Sequence, residues 1–237
     1  MYTFESRIGY SEAGKSGKLS LDGLLNYFQD CSFFHSEDMG VGLHFLNENH
    51  LAWVLSSWQI VVNRYPMVCE TVRVGTAPYD FRGFFGYRNF LLETLSGERL
   101  ACANSIWTLL DTRTMRPVKA PAEMVNAYRI EEKIEMEYAP RKISIPEGGS
   151  LAESIVVRSH HLDTNQHVNN GQYVRMAADC LSGEESIIQM RAEYRKSAVL
   201  HDVIVPLKIK MTDNIYVIVL QDEKEVPFCI VEFTVTI

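Results

Sequence analysis

The sequence predicts an α+β protein made of two tandem copies of one small domain, each a long central helix wrapped by an antiparallel β-sheet. Three observations carry this. At about 150 residues per domain, the 237 residues suit one large domain or two modest ones. Residues 130–150 ("IEEKIEMEYAPRKISIPEGGS") are charged, hold two prolines and end in Gly-Gly-Ser, a linker composition. On either side of that stretch the chain runs through the same order of patterns. The expected division is therefore a first domain over 1–130, a linker over 131–150 and a second domain over 151–237.

Taken in order, residues 5–31 ("ESRIGYSEAGKSGKLSLDGLLNYFQDC") and 153–180 ("ESIVVRSHHLDTNQHVNNGQYVRMAADC") each pass from a β-rich start through a polar loop into a helix. Leu21, Leu24, Leu25 and Phe28 recur at i, i+3, i+4, i+7, and Tyr173, Met176, Ala177, Cys180 and Leu181 repeat that spacing. Each helix thus has one apolar stripe. Next, 58–74 and 190–205 each read as two β-rich runs broken by a turn. The segments "RNFLLETLSGERLACANSIWTLLD" and "IYVIVLQDEKEVPFCIVEFTVTI" both read as hairpins with charged turns, with Cys102 and Cys229 at equivalent places. The repeat, roughly 130 to 150 residues, is too long for a solenoid and suits two fused α+β domains.

Composition narrows the function classes. With 46% hydrophobic and 22% charged residues the chain is neither disordered nor collagenous. A net charge of −7 argues against nucleic acid as the main partner, which requires a basic surplus. Five cysteines, an odd number without metal-ligand or redox spacing, point to a reduced, cytoplasmic compartment. "MYTFESRIGY" lacks a signal pattern, and no run approaches the roughly 18 apolar residues of a span, so no membrane partner is expected.

Reactive side chains concentrate in "HHLDTNQHVNNGQY", from His160 to Tyr173. Asp163, Asn165 and His167 alternate at period two, so an extended segment would point all three the same way. Asn169 or Asn170 is suited to cap the following helix, whose N–H groups near Val168, Asn169, Asn170 and Gly171 would then lie beside the triplet. A carboxylate or imidazole to activate water, next to preorganised donors, is what acyl-group hydrolysis requires. Two other readings fit the same residues: a polar loop whose Asp and Asn side chains only make turn and cap hydrogen bonds, and a metal site from His160, His161, Asp163 and His167. Against the metal, adjacent histidines on a strand face opposite ways and no second ligand cluster is visible. The matching segment of the first copy, "KSGKL" (15–19), has no carboxylate, amide or imidazole. The aromatic stretches "FFGYRNF" and "YFQDCSFFH" fit core packing or an apolar pocket, and His35, His44, His50 and His201 read as structural, without identifiable partners.

"DTNQHVNN" (163–170) resembles the Asp-x-Asn-x-His-Val-Asn-Asn signature of the acyl-acyl carrier protein thioesterases of plant plastids and bacteria. "NHLAWVLSSWQIVVNRYP" (49–66) resembles that family's first-domain segment, and weaker similarity extends over nearly the whole chain. The resemblance implies two hotdog domains in tandem, an acyl-chain pocket toward the first, and catalysis in the second by Asp163, Asn165 and His167. It implies hydrolysis of a fatty acyl thioester on acyl carrier protein, with no cofactor and no metal. An acyl-coenzyme A thioesterase or a non-catalytic acyl-binding hotdog are the alternatives, and a homodimer is compatible with either. The family's Glu-Tyr-Arg-Arg-Glu-Cys motif falls on 193–198, where Ser197 and Ala198 replace its Glu and Cys. A thiol nucleophile is therefore missing at that place, leaving Asp163 as base or nucleophile. An acidic carrier would dock on a local basic patch, for which Arg141, Lys142, Arg191, Arg195 and Lys196 are the candidates.

Overall fold

The computed structural model describes residues 1–183 and 186–236, which form two compact units: Met1–Ser56 with Val62–Tyr138, and Ser57–Val61 with residues from Ala139 onward. In the first unit β1 (Tyr2–Arg7) leads to α1 (Leu21–Asp38), a short α2 (Leu43–Glu48) and the strands β2 (Leu51–Val62), β3 (Thr71–Arg82), β4 (Phe85–Thr94), β5 (Arg99–Asp111) and β6 (Arg116–Pro117), then α3 (Ala122–Ala127). β1, β3, β4 and β5 pair antiparallel in that order. The second unit contains β7 (Ser150–Leu151), β8 (Ile155–Val156), α4 (Asn170–Ala178), β9 (Ser186–Tyr194), β10 (Val203–Lys210), β11 (Ile215–Gln221) and β12 (Pro227–Thr236). Its antiparallel sheet runs β9-β12-β11-β10, and β2 residues Ser57–Val61 pair with β9.

α1 begins where Ser20 Oγ accepts the Gly23 N–H at 3.1 Å and stops at Gly40, whose φ of +73° an L side chain rarely adopts. Its predicted stripe is the buried face: Leu21, Leu24, Leu25 and Phe28, continued by Cys31 and His35, with Phe28 packed 5.2 Å from the Phe90 ring of β4. α4 is half as long. Tyr173, Met176 and Ala177 are buried, but Cys180 and Leu181, expected on the same stripe, lie beyond its end and are only half-buried. The N–H groups of Cys180 and Leu181 turn back to Ala177 and Ala178, and Lys208 Nζ donates to the Cys180 carbonyl at 2.7 Å. That tightened last turn ends the helix.

The duplication is visible bond by bond. In the first copy Gly14 N–H donates to Lys18 O at 2.9 Å, Leu19 N–H to Pro66 O at 2.8 Å and Ser20 N–H to Glu12 O at 2.9 Å. In the second, Asp163 N–H donates to His167 O at 2.8 Å, Val168 N–H to Ala198 O at 3.0 Å and Asn169 N–H to His161 O at 2.9 Å. Further on, Asn63 and Arg64 share Leu100 O as Arg195 and Lys196 share Phe228 O, and Cys69 and His201 both take positive φ, +70° and +73°. One expectation is corrected: since Leu100 matches Phe228, Cys229 matches Ala101 and not Cys102. A one-residue offset in a strand exchanges faces, so the two thiols are not equivalent.

Residues 131–149 form no helix or strand, yet they are tied down. Tyr138 Oη donates to Asn89 Oδ1 at 2.9 Å in the first unit; Ile143 is buried in the second, its N–H on Glu193 Oε2 at 2.8 Å. His35 and His44 also have partners, contrary to expectation: Arg88 Nη1 lies 2.9 Å from His35 Nδ1, and Glu48 lies 3.2 Å from His44. No described helix is long and apolar enough to cross a membrane.

Candidate active site

The cluster in the second unit begins with a single 3-10 turn, Ser159–His161, in which His161 Nδ1 accepts the Arg158 N–H at 3.0 Å. Partial burial, with His160, Arg158 and Arg175 nearby, pushes His161 below the usual imidazole range. Leu162 and Val168 then bridge antiparallel, closing residues 163–167 into a tight turn with Gln166 at φ +61°. This corrects the expectation of an extended segment. Period-two alternation is shared by a strand and by a turn that returns on itself, and no glycine marks the corner.

Within the turn one oxygen of Asp163, Oδ1, accepts the N–H groups of Asn165 at 2.8 Å and His167 at 3.3 Å. This is the Asx hydrogen bonding that the polar-loop reading foresees. Among the described residues no hydrogen bond reaches the other oxygen, Oδ2; Asp163 and His167 are both half-exposed while Asn165 is exposed. The hydrogen bonds that shape the turn thus fall on one oxygen of the carboxylate. The turn gathers Asp163, Asn165 and His167 within five residues, with no hydrogen bond joining their side chains. Among the described residues no three His, Cys, Asp or Glu side chains converge as a metal would require, so the ligand set His160, His161, Asp163 and His167 does not assemble.

The expected donors at the start of α4 are largely committed. Val168 N–H goes to Ala198 O, Asn169 N–H to His161 O, and Gly171 N–H to the capping Asn169 Oδ1 at 2.8 Å. These bonds fasten the turn to the helix, leaving Val168, Asn169 and Gly171 without a spare N–H for a substrate oxygen; Asn170 gives its carbonyl to Tyr194 Oη at 3.1 Å. The positive end of the helix still faces this region.

Two residues that pattern reading assigned elsewhere complete the surroundings. Ala198 is fully buried, and its N–H donates to the Tyr173 hydroxyl at 2.7 Å. Tyr173 was legible only as a stripe residue, because periodicity reports where a side chain lies and not what its polar tip binds. Burial pushes the Tyr173 hydroxyl well above the usual range, and Asp163 is among the charges acting on it. Of the basic candidates, Arg191 is held by Glu232 at 2.7 Å and by two carbonyls, Arg195 by Glu193 at 3.1 Å and Lys196 by Asp222 at 3.1 Å. Those cations serve internal ion pairs first.

The acyl-ACP thioesterase N-terminal domain family matches residues 1–128, and the acyl-ACP thioesterase C-terminal domain family matches 146–226. The chain belongs to the acyl-ACP thioesterase family. Among curated relatives, the chloroplastic acyl-[acyl-carrier-protein] hydrolase FATB1 of Cuphea viscosissima is 26% identical over 215 residues, covering 81% of this chain and 50% of that protein. The chain thus spans about half the length of the curated relatives it matches. Among solved structures, an acyl-ACP thioesterase from Bacteroides thetaiotaomicron superposes with a TM-score of 0.91 at 21% identity, over 99% of this chain and 97% of that one. The 12:0-ACP thioesterase of Umbellularia californica gives 0.85 at 21%, over 99% and 96%. The acyl-ACP thioesterase family fold is therefore the fold of this chain: two hotdogs in tandem, the helix-and-sheet units described above.

Proposed function

We propose that this acyl-ACP thioesterase family member hydrolyses fatty acyl thioesters carried on acyl carrier protein, releasing a free fatty acid and the carrier thiol and ending chain elongation. The observation that carries the reading is the Asp163 turn. It combines a half-exposed carboxylate oxygen with an uncommitted amide and imidazole at the head of a helix, in one copy of the repeat and not in the other.

In this reading Asp163 Oδ2 takes a proton from water as the water oxygen attacks the thioester carbon, or attacks that carbon itself. The Asn165 amide donates to the carbonyl oxygen as negative charge develops there, the task first assigned to the N–H groups near Val168, Asn169, Asn170 and Gly171. When the tetrahedral intermediate collapses the C–S bond breaks, and His167 delivers a proton to the departing sulfur, replaced by the one Asp163 took from the water; where Asp163 itself attacks, the water instead hydrolyses the resulting acyl–Asp163 anhydride. The balance is one water consumed, one carboxylic acid and one thiol formed. The chemistry calls on no metal and no cofactor. Five free cysteines suit a reducing, cytoplasmic setting.

Thiol release measured on a panel of acyl carrier protein and coenzyme A thioesters tests this. Turnover on the carrier-linked panel is the expected result. Turnover confined to coenzyme A esters would move the assignment to an acyl-coenzyme A thioesterase, and silence on every ester would leave a binding module.

A further inference from the structure

We propose that Tyr173 is a positioning residue for the Asp163 turn: its hydroxyl fixes Ala198, whose carbonyl anchors the turn through Val168. The kinetic part of this rests on the function proposed above; the structural part does not.

Residue 198 is gripped from both sides. Its N–H donates to Tyr173 Oη at 2.7 Å, and its carbonyl accepts Val168 N–H at 3.0 Å. Both side chains are buried, Tyr173 at 2% exposure and Ala198 at 0%, so no water substitutes for either bond. Val168 is the residue through which the turn leaves, and Asp163 N–H is bonded to His167 O just before it. A shift of the Ala198 carbonyl therefore moves the turn that holds Asp163 and His167.

The first copy solves the same problem by another route. The residue matching Ala198 is Pro66, whose carbonyl accepts Leu19 N–H at 2.8 Å. Proline has no N–H to satisfy and its ring locks φ near −65°. At the fourth residue of α1 stands Leu24, where α4 has Tyr173. The pairs are matched: Leu with Pro, Tyr with Ala. The copy without a reactive turn holds its anchor by a ring, whereas the copy with Asp163 holds it by a hydroxyl.

Tyr173→Phe removes the hydroxyl and leaves the Ala198 N–H buried without an acceptor. We expect kcat for thioester hydrolysis to fall about tenfold with KM little changed, as a displaced reacting group requires, and native-state exchange of the Val168 amide to quicken about tenfold. The double variant Tyr173→Phe with Ala198→Pro should restore both. Proline fits there because the chain follows the Pro66 path on each side: Arg195 and Lys196 share one carbonyl as Asn63 and Arg64 do, and Val199 N–H meets Asp202 at 2.9 Å as Met67 N–H meets Glu70 at 2.9 Å. If Tyr173→Phe fails to fold, the double variant carries the test: a folded protein with native Val168 protection supports the proposal, and an unfolded one overturns it. Wild-type kcat and Val168 protection in Tyr173→Phe, or a folded double variant still as slow and as fast-exchanging as the single, would also overturn it. Should the wild-type protein hydrolyse no thioester, the exchange measurement decides the positioning role alone.

Discussion

Gly14 and Asp163 occupy the same corner of the same turn: the N–H of each donates to the carbonyl four residues on, at 2.9 Å to Lys18 and 2.8 Å to His167. Backbone geometry alone therefore does not make the site. One unit carries a bare corner and the other a carboxylate in it, which localises the proposed chemistry to side chains grafted on a shared frame.

The same correspondence predicts a stabilising substitution. Gln166 sits at φ +61° where the first copy has Gly17 at +72°. A left-handed conformation costs an L residue roughly 1–2 kcal/mol, of which part is returned to the unfolded chain when glycine replaces it. Gln166→Gly should thus raise stability by up to about 1 kcal/mol, read as a higher melting temperature. A lower one would contradict the strain.

The proposed mechanism calls on no thiol. Burial pushes Cys31 up to about 12, and also raises Cys102, Cys180 and Cys229, so these resist becoming thiolates. Cys69 is the exposed one and should react first with iodoacetamide, without loss of turnover. A variant with all five changed to Ala or Ser should keep most of its turnover per folded molecule, though cavities at the buried sites will lower its stability. Inactivation in step with one modified thiol, prevented by substrate, would restore a cysteine mechanism.

Acid should weaken the first unit through His35. Burial, with the Arg88 guanidinium beside it, lowers this imidazole from the usual 6.5 to about 4. Between those values the unfolded chain binds a proton that the folded one refuses, so stability falls as pH drops from about 6.5 to about 4. His35→Gln, which still offers Arg88 an oxygen, should remove up to one proton of that slope in urea titrations at a series of pH values. An unchanged slope would show that His35 is charged in the fold.

Legibility from sequence followed the range of the forces involved. The α1 stripe and the cap of α4, expected at Asn169 or Asn170, are local, set by helical spacing and by one side chain meeting a nearby N–H, and they were readable. The path of 163–167 was not, because alternation of Asp163, Asn165 and His167 suits a strand as well as a turn whose corner residue is Gln166. The end of α4 depends on Lys208 reaching the Cys180 carbonyl, and the hold on the turn depends on Tyr173 meeting Ala198. Both join residues more than twenty positions apart, beyond any periodic signal. Equating Cys102 with Cys229 failed by one residue, which is enough in a strand to reverse a side chain.

The measurement that bears most directly on the account is thiol release by Asp163→Asn from a fatty acyl-acyl carrier protein. Asparagine keeps an oxygen to accept the Asn165 and His167 N–H groups, so the turn and the melting temperature should persist, but it has no carboxylate oxygen to take a proton or attack. The account predicts a native fold with turnover reduced at least roughly 100-fold. A natively folded Asp163→Asn protein that turns over near the wild-type rate would contradict it.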